Sequence, residues 1–227
     1  IKRDNLNNYR AQRRGGIGIK GIDIKEEDVV QELLISSNLR DLVVFTNLGR
    51  VHWLKVYQLP EVSRTAKGKP IVNFIGLQEG EKVASILSVK KFEEDKFIIS
   101  ITQNGIVKKT SLKMYSRPRQ GGIIGLTIDE DDRVIAAKLS DGSRDILLAT
   151  KNGMSIRFKE EEVRAIGRTG RGVMGIRLRE GDKVVGGAIL KPGKSILKDT
   201  ASGPLWRNTP YKAAAGMGLS PFDAAKK

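Results

Sequence analysis

The sequence predicts an all-β repeat protein whose units are propeller blades or solenoid turns, each with four strands. Three recurring patterns carry this prediction. Glycine-rich stretches align at Gly18, Pro70, Gly122 and Gly172, which lie 52, 52 and 50 residues apart. A valine follows an acidic turn at residues 29, 83, 134 and 184, and a Thr-x-x-Gly turn recurs at 46–49, 102–105 and 150–153. A period of about 50 residues is typical of propellers and solenoids.

The repeat divides the chain into units. We expect a partial unit at residues 1–36, complete units at 37–89, 93–139 and 141–190, and the start of a fifth at 194–197. Ile1-Lys2-Arg3 corresponds to Val107-Lys108-Lys109, so the first strand of the first unit is expected before residue 1, in a longer protein. Residues 198–227 lack all three patterns and are rich in Ala, Gly and Pro, which favours a truncated, altered or expression-derived tail over a native docking tail.

Strands can be placed within each complete unit from short β-branched runs bounded by turn residues. The second unit has predicted strands at 41–46, 50–56, 71–75 and 83–87, and the third at 97–101, 106–109, 123–128 and 134–139. The fourth has them at 146–149, 155–158, 173–178 and 184–190, with one helical turn at 160–165. Asn104-Gly105 predicts a hairpin, because both residues tolerate positive φ.

The charge balance predicts an acidic partner. Lys and Arg number 41 against 26 Asp and Glu, which gives a net charge of +15. Nucleic acid is the first expectation and an anionic membrane surface the second. No apolar run is long enough to span a bilayer, and the absence of cysteine fits a reducing cytoplasm. Aromatic residues make up only 5% of the chain, too few for a platform that stacks single-stranded bases.

The loop Gln12-Arg13-Arg14-Gly15-Gly16-Ile17-Gly18 is the first candidate site. Glycines let backbone N–H groups approach a ligand closely, and arginines donate bidentate hydrogen bonds to phosphate oxygens. Cations recur at equivalent places in later units, as a curved track along duplex DNA requires. The predicted DNA-binding residues are Gln12, Arg13, Arg14, Gly15, Gly16, Gly18, Lys20, Arg50, Lys55, Arg64, Lys67, Lys69, Lys108, Lys109, Arg117, Arg119, Arg157, Arg168 and Arg171.

Each of these residues also has an ordinary alternative, a solvated surface charge or a glycine that only shapes a turn. It is their joint recurrence that favours DNA. The sequence shows neither a base-reading helix nor a pattern of stacking aromatic residues, so DNA binding is expected to be independent of base sequence. Its affinity should fall steeply with salt, because phosphate contacts release counterions.

No other chemistry is predicted. His52, the single histidine, is expected to pack in a strand. The acidic turns at 26–28 and 129–132 lack the spacing of a calcium loop, and no Ser/His/Asp or Cys/His set is present. We therefore expect no catalytic residue, no metal site and no cofactor on this chain.

About residues 1–197 resemble the C-terminal domain of the DNA gyrase A subunit. The resemblance rests on the box Tyr9-Arg10-Ala11-Gln12-Arg13-Arg14-Gly15-Gly16 and on the unit from Gly49-Arg50-Val51 through Arg64 to Asn73. It implies a β-pinwheel, a propeller-like ring of four-stranded blades that exchange strands with their neighbours. It also implies that DNA bends around a basic outer rim, which lets a bacterial, cytoplasmic and nucleoid-associated gyrase introduce negative supercoils.

The resemblance also implies which partners the domain has and that the catalytic steps take place elsewhere in the enzyme. The expected partners are duplex DNA, the N-terminal part of gyrase A and the gyrase B protein, and no membrane is involved. The DNA-cleaving tyrosine and ATP hydrolysis of this type IIA topoisomerase lie outside the domain, so Tyr9, Tyr57, Tyr115 and Tyr211 are given no such role.

Two departures from the family pattern keep alternatives open. The family box carries a basic residue where this chain has Ile17, and only about four blades of an incomplete ring are expected instead of six. The alternatives are a topoisomerase IV-type domain that binds DNA without strong wrapping, and a propeller that binds an acidic protein.

Overall fold

The computed structural model describes residues 1–24 and 29–192. This part of the chain is all-β, as predicted, and contains no α-helix. Its eleven strands are β1 (Asp41–Thr46), β2 (Arg50–Lys55), β3 (Val83–Val89), β4 (Phe97–Thr102), β5 (Ile106–Ser111), β6 (Ile123–Ile124), β7 (Val134–Ser140), β8 (Asp145–Thr150), β9 (Ser155–Lys159), β10 (Val173–Met174) and β11 (Val184–Leu190).

The strands form three antiparallel sheets. Two sheets have four strands, in the orders β3-β1-β2-β6 and β7-β4-β5-β10, and the third has the order β11-β8-β9. Because β7 packs against both β3 and β11, these three strands form the inner edges of neighbouring sheets. The short strands β6 and β10 therefore lie at the outer edges of their sheets.

Each short outer strand belongs to the unit that follows its sheet. β6, from the third unit, pairs with β2 through Arg50–Ile124 and Val51–Ile123. β10, from the fourth unit, pairs with β5 in the same register. The backbone N–H groups of Gly125 and Gly175 donate to the carbonyls of Gly49 and Gly105, each at 2.8 Å. This is the strand exchange of a β-pinwheel, and the predicted fold is confirmed.

Two of the three hydrophobic clusters in the described residues lie between neighbouring sheets. One cluster joins Val43 and Phe45 of β1 to Ile98 of β4 and to Tyr115, and the rings of Phe45 and Tyr115 meet edge to face at 5.7 Å. A second cluster joins β4 and β5 to β8 and β11. Each fully buried aliphatic side chain contributes about 2 kcal/mol relative to an exposed one, so the sheets depend on each other for stability.

The Thr-x-x-Gly pattern builds the turn of each hairpin. The N–H of Gly105 donates to the carbonyl of Thr102 at 3.1 Å, and the N–H of Ile106 donates to the Thr102 hydroxyl at 3.2 Å. Gly105 has a φ of +86°, whereas no non-glycine residue in the described ranges has a positive φ. The hairpin predicted at Asn104-Gly105 is therefore present, and its turn is a longer one that ends in one left-handed glycine.

Three predicted strands are absent or shortened. Residues 71–75 contain a 3₁₀ turn, Ile71–Asn73, closed by hydrogen bonds from Asn73 N to Pro70 O and from Phe74 N to Ile71 O. This turn directs Ile71 and Phe74 into one apolar cluster, which an extended strand could not do, since its side chains alternate between faces. The strands predicted at 123–128 and 173–178 each end after two residues.

The ends of the repeat array differ from the complete units. Within residues 1–24 the structure has one 3₁₀ turn, Leu6–Asn8, and one isolated bridge between Arg3 and Glu61. The partial first unit thus adds no strand to a sheet in the described residues. The helical turn predicted at 160–165 is a 3₁₀ turn at Glu160–Glu162. Residues 194–197 and the predicted tail at 198–227 lie outside the described ranges.

Candidate nucleic-acid interface

Four basic loops carry most of the predicted DNA-binding residues. We call residues 9–20, 60–70, 115–122 and 163–172 the rim loops, since the last two lead directly into the outer-edge strands β6 and β10. Six of the predicted cations on these loops are exposed and form no ion pair with any carboxylate of residues 1–24 and 29–192; they are Arg13, Arg14, Lys67, Lys69, Arg117 and Arg119. Exposed, uncompensated cations on successive loops are suited to a polyanion.

The first rim loop is shaped by its own side chain and glycines. The side-chain oxygen of Gln12 accepts from Gly18 N at 3.1 Å, and Gly16 N donates to Arg13 O at 3.1 Å. Arg13, Arg14 and Ile17 project into solvent, and Ile17 is fully exposed. The loop therefore presents two guanidiniums beside an apolar side chain, and Gln12 acts on loop geometry.

Three other rim-loop cations contact the preceding unit. The guanidinium of Arg64 donates to the Lys20 carbonyl, and that of Arg168 donates to the Ile124 carbonyl at 3.4 Å. Arg171 forms an exposed ion pair with Asp129. These arginines join consecutive units while part of each guanidinium stays accessible.

Lys108 and Lys109 correct the sequence prediction, because both are buried. Lys108 is 1% exposed, and its ammonium is bonded to backbone carbonyls. Lys109 is 7% exposed; its Nζ lies 3.2 Å from the buried carboxylate of Glu160 and 4.4 Å from the centre of the Phe97 ring. Side chains enclosed in this way cannot reach a phosphate at the surface, so neither belongs to the interface.

The other predicted cations after the hairpin turns, and Lys20 in the first rim loop, are compensated by acids. Lys55 pairs with Asp41 at 2.8 Å, and Arg157 Nε lies 2.8 Å from a carboxylate oxygen of Asp145. Arg50 Nε is 3.8 Å from the buried Glu81, and Lys20 pairs with Asp23. A neighbouring carboxylate thus offsets part of the positive potential around each of these four residues, whereas no carboxylate of the described residues does so around the six uncompensated cations.

His52 is buried, as predicted, at 3% exposure. Its Nε2 lies 3.7 Å from the carboxylate of Glu81, within ion-pair range but not hydrogen-bonded. Burial lowers the pKa of His52, and the nearby Glu81 carboxylate opposes part of that shift. The imidazole is therefore neutral at pH 7 and forms part of the packing under Gly122, whose backbone runs directly over the ring.

Sequence reasoning missed Lys2. Its ammonium bonds to four backbone carbonyls around the first two rim loops, those of Gly21, Ser63, Arg64 and Ala66. One signal could have revealed it, namely that Lys2 and Lys108 occupy the same place in the repeat. In the described part of the chain, no group of three His, Cys, Asp or Glu residues could hold a metal ion. Nor does a helix in that part have the length and apolar character to cross a bilayer.

Comparison with known proteins gives the family. A model of the DNA gyrase C-terminal domain, described as a beta-propeller, matches residues 1–37, 40–90, 96–141 and 144–191. The chain belongs to the DNA gyrase C-terminal domain family. The matching segments contain all four rim loops, so the loops belong to this gyrase domain and not to an insertion in it.

Relatives of known name belong to the same family. The chain is 47% identical over 178 residues to the DNA gyrase A protein of Haemophilus influenzae, an alignment that covers 78% of this chain and 20% of that protein. It is 43% identical over 203 residues to the DNA gyrase A protein of Salmonella typhimurium, covering 89% of this chain and 23% of the relative. The chain thus spans about a fifth to a quarter of the length of these relatives.

Among solved structures, the C-terminal domain of DNA topoisomerase IV superposes with a TM-score of 0.71 at 31% identity, covering 84% of this chain and 58% of that one. A DNA gyrase A C-terminal domain gives a TM-score of 0.64 at 24% identity, covering 83% of this chain and 60% of that one, which shows the shared fold.

Proposed function

We propose that this gyrase-family chain binds duplex DNA along the rim loops without sequence preference and bends or wraps it. The observation that carries the proposal is the recurrence of exposed cations, free of ion pairs to the described carboxylates, on three rim loops, namely Arg13 and Arg14, Lys67 and Lys69, and Arg117 and Arg119. Repeated cations at one edge of successive sheets form a track that matches the regular spacing of phosphates along a duplex.

Wrapping requires several contacts to form together. Smooth bending of a 20–30 base-pair site costs on the order of 1–6 kcal/mol, which phosphate contacts must offset. We propose that a longer duplex contacts more rim loops in succession and that the net charge of +15 draws the remaining DNA towards the domain. In the full enzyme, this domain would hand the bent segment to the N-terminal part of gyrase A and to gyrase B, where cleavage and ATP hydrolysis take place.

A second candidate is DNA binding with little wrapping, as in a topoisomerase IV-type domain. It is favoured by the structural similarity at a TM-score of 0.71 and by the apolar Ile17, which removes one cation from the first rim loop. A protein-interaction propeller is the third candidate, and its partner would be an acidic protein.

The first experiment measures binding of the chain to linear duplexes from about 20 to about 150 base pairs, the latter near the persistence length of DNA. Binding is measured at about 50 mM and at about 200 mM salt. If roughly six phosphate contacts form, affinity should fall about 10³-fold between the two salt concentrations. We expect affinity to rise with length and to fall in Arg13→Ala/Arg14→Ala. The matched control, Lys90→Ala/Lys91→Ala, removes two exposed lysines that follow the inner strand β3 and is expected to bind like wild type.

Ligation of nicked circles in the presence of the chain separates the candidates. A shift in linking number supports wrapping, whereas binding without a shift supports the topoisomerase IV-type alternative. Length-independent binding, or equal losses in the two double variants, would mean that the rim loops are not the DNA track. Absence of duplex binding would leave the protein-interaction alternative.

A further inference from the structure

A buried ammonium connects the third and fourth units beneath the rim. Lys108 Nζ donates to the carbonyl of Gly125 at 2.8 Å and to the carbonyl of Arg168. The hydroxyl of Tyr115, a fully buried residue, donates to the same Gly125 carbonyl at 3.2 Å. One charge therefore links the segment after β6 to the rim loop that carries Arg168.

The same arrangement occurs between the first and second units. Lys2 Nζ donates to the carbonyls of Gly21 at 3.1 Å and of Arg64. These correspond to Gly125 and Arg168 when Gly68, and not Pro70, is aligned with Gly172, as the structure shows: Gly68 lies against the Ile1 carbonyl as Gly172 lies against that of Val107. The side chains repeat as well, since Arg64 donates to the carbonyl of Lys20 and Arg168 to that of Ile124. Removing an ammonium from water is costly unless several acceptors surround it. Two independent copies of these contacts indicate that the arrangement has a specific role.

The equivalent position in the other units shows what the lysine adds. β2 has His52 there, and its Nε2 has no hydrogen-bond partner among the described residues. β9 has Ile156, which is 37% exposed. Among the described residues, the two junctions that have the lysine also have an arginine that bonds back to the preceding unit, and the junction at His52 has neither.

We propose that Lys108 and Lys2 are positioning residues for the DNA-binding rim. Each ammonium fixes the backbone on both sides of a unit junction, so that the guanidinium of Arg168 or Arg64 is presented to DNA in one orientation. Neither lysine touches DNA. This inference rests on the proposed function, because it explains how the rim loops are held in place for phosphate contact.

The pH dependence of DNA affinity distinguishes a positioning role of Lys108 from a purely structural one. Burial, and secondly the charge of Arg168, lower the pKa of Lys108 to about 8. The groups that face it are the Arg168 guanidinium and the Tyr115 phenol, whose pKa burial raises to about 12. Neither changes charge between about pH 7 and about pH 10. Phosphates near Arg168 favour the protonated amine, so the complex holds this proton more tightly and affinity falls as pH rises above about 8.

The experiment compares duplex binding by wild type, Lys108→Met, Lys2→Met and Lys113→Met between about pH 7 and about pH 9.5. Lys113 is the matched control, an exposed lysine that pairs with Glu94. At pH 7 we expect both Lys108→Met and Lys2→Met to bind about tenfold more weakly, and Lys113→Met to bind like wild type. The affinity loss above pH 8 should persist in Lys2→Met and disappear in Lys108→Met.

Equal affinity and equal pH profiles for wild type and Lys108→Met would overturn the inference while leaving the proposed function intact. If Lys108→Met does not fold, as judged by circular dichroism, Lys108→Arg replaces it, because arginine keeps its charge throughout this range. It should bind at pH 7 and show no loss above pH 8, and a persisting loss contradicts the role of Lys108. If the wild type does not bind duplex DNA at all, the proposed function itself fails.

Discussion

At the scale of residues, the basic side chains of this chain fall into two classes with different surroundings. Arg117 and Arg119 are solvated, whereas Lys108 and Lys109 are enclosed by carbonyls, a carboxylate and an aromatic ring. Buried charges persist only where acceptors or opposite charges replace water. A cation in this protein therefore stays accessible or is enclosed in the fold according to which groups surround it.

His52 predicts a stability effect in mild acid. Its folded-state pKa is lowered mainly by burial, so below about pH 6.5 the unfolded chain binds a proton that the folded chain resists. We expect the free energy of unfolding to fall between about pH 7.5 and about pH 5.5, and to fall less in His52→Gln. Urea unfolding at several pH values measures this. Parallel pH curves for the two proteins would contradict the assignment.

At the scale of elements, the exchanged strands are held by main-chain contacts at hairpin glycines. The carbonyls of Gly49 and Gly105 each accept N–H groups from the following unit. A two-residue strand such as β6 supplies little pairing by itself. Its place is fixed by these contacts and by Gly125, where a Cβ atom would lie 2.3 Å from the Val51 side chain.

Gly105→Ala and Gly153→Ala form a matched pair that measures strand exchange. Both glycines end the same turn, with φ of +86° and +83°. A Cβ at Gly105 would lie 2.7 Å from the Ile176 carbonyl oxygen, whereas at Gly153 it would meet nothing within 4 Å among the described residues. We expect Gly153→Ala to cost about 1–2 kcal/mol for the left-handed backbone alone, and Gly105→Ala to cost about 1–3 kcal/mol more. Urea unfolding measures both changes in the free energy of unfolding. Equal losses of stability in the two variants would mean that the segment around Ile176 moves away from the new methyl group at no measurable cost.

At the scale of the whole molecule, the repeat places exposed cations on successive units, so that contacts that are weak one by one can form together. A single exposed ion pair with DNA contributes little, but cations repeated on successive sheets act together on one polyanion. The inner strands β3, β7 and β11 hold the sheets side by side, so the two rim loops that precede β6 and β10 lie at the outer edges of successive sheets.

The salt dependence of binding tests this arrangement. Removal of one phosphate contact lowers the slope of log affinity against log salt by about 0.9. Arg117→Ala/Arg119→Ala should therefore reduce the slope by about 2 units. Lys90→Ala/Lys91→Ala removes the same charge from residues that follow inner strand β3 and should leave the slope unchanged. Fluorescence anisotropy with one duplex across a salt series measures it. The same reduction in both variants would show that only net charge matters.

The sequence by itself determined the repeat, the all-β class and most long strands. Alternating β-branched residues and a Thr-x-x-Gly turn are local properties, and β1, β3 and β11 lie where these patterns place them. The Gln12–Gly18 loop could likewise be found from its composition. Residues 71–75 could not be predicted correctly, since the same apolar spacing satisfies a strand or a 3₁₀ turn that packs Ile71 and Phe74 into the core.

Only the tertiary structure decided which cations stay accessible and which unit receives each outer strand. The acceptors of the Lys108 ammonium come from residues 17 and 60 positions away in the chain. The partner of β6 lies in the preceding unit. Nothing in the residues around Lys108 distinguishes it from a surface lysine. Its burial is decided by distant backbone groups of its own unit and of the next one, because desolvation and hydrogen bonding depend on neighbours in space.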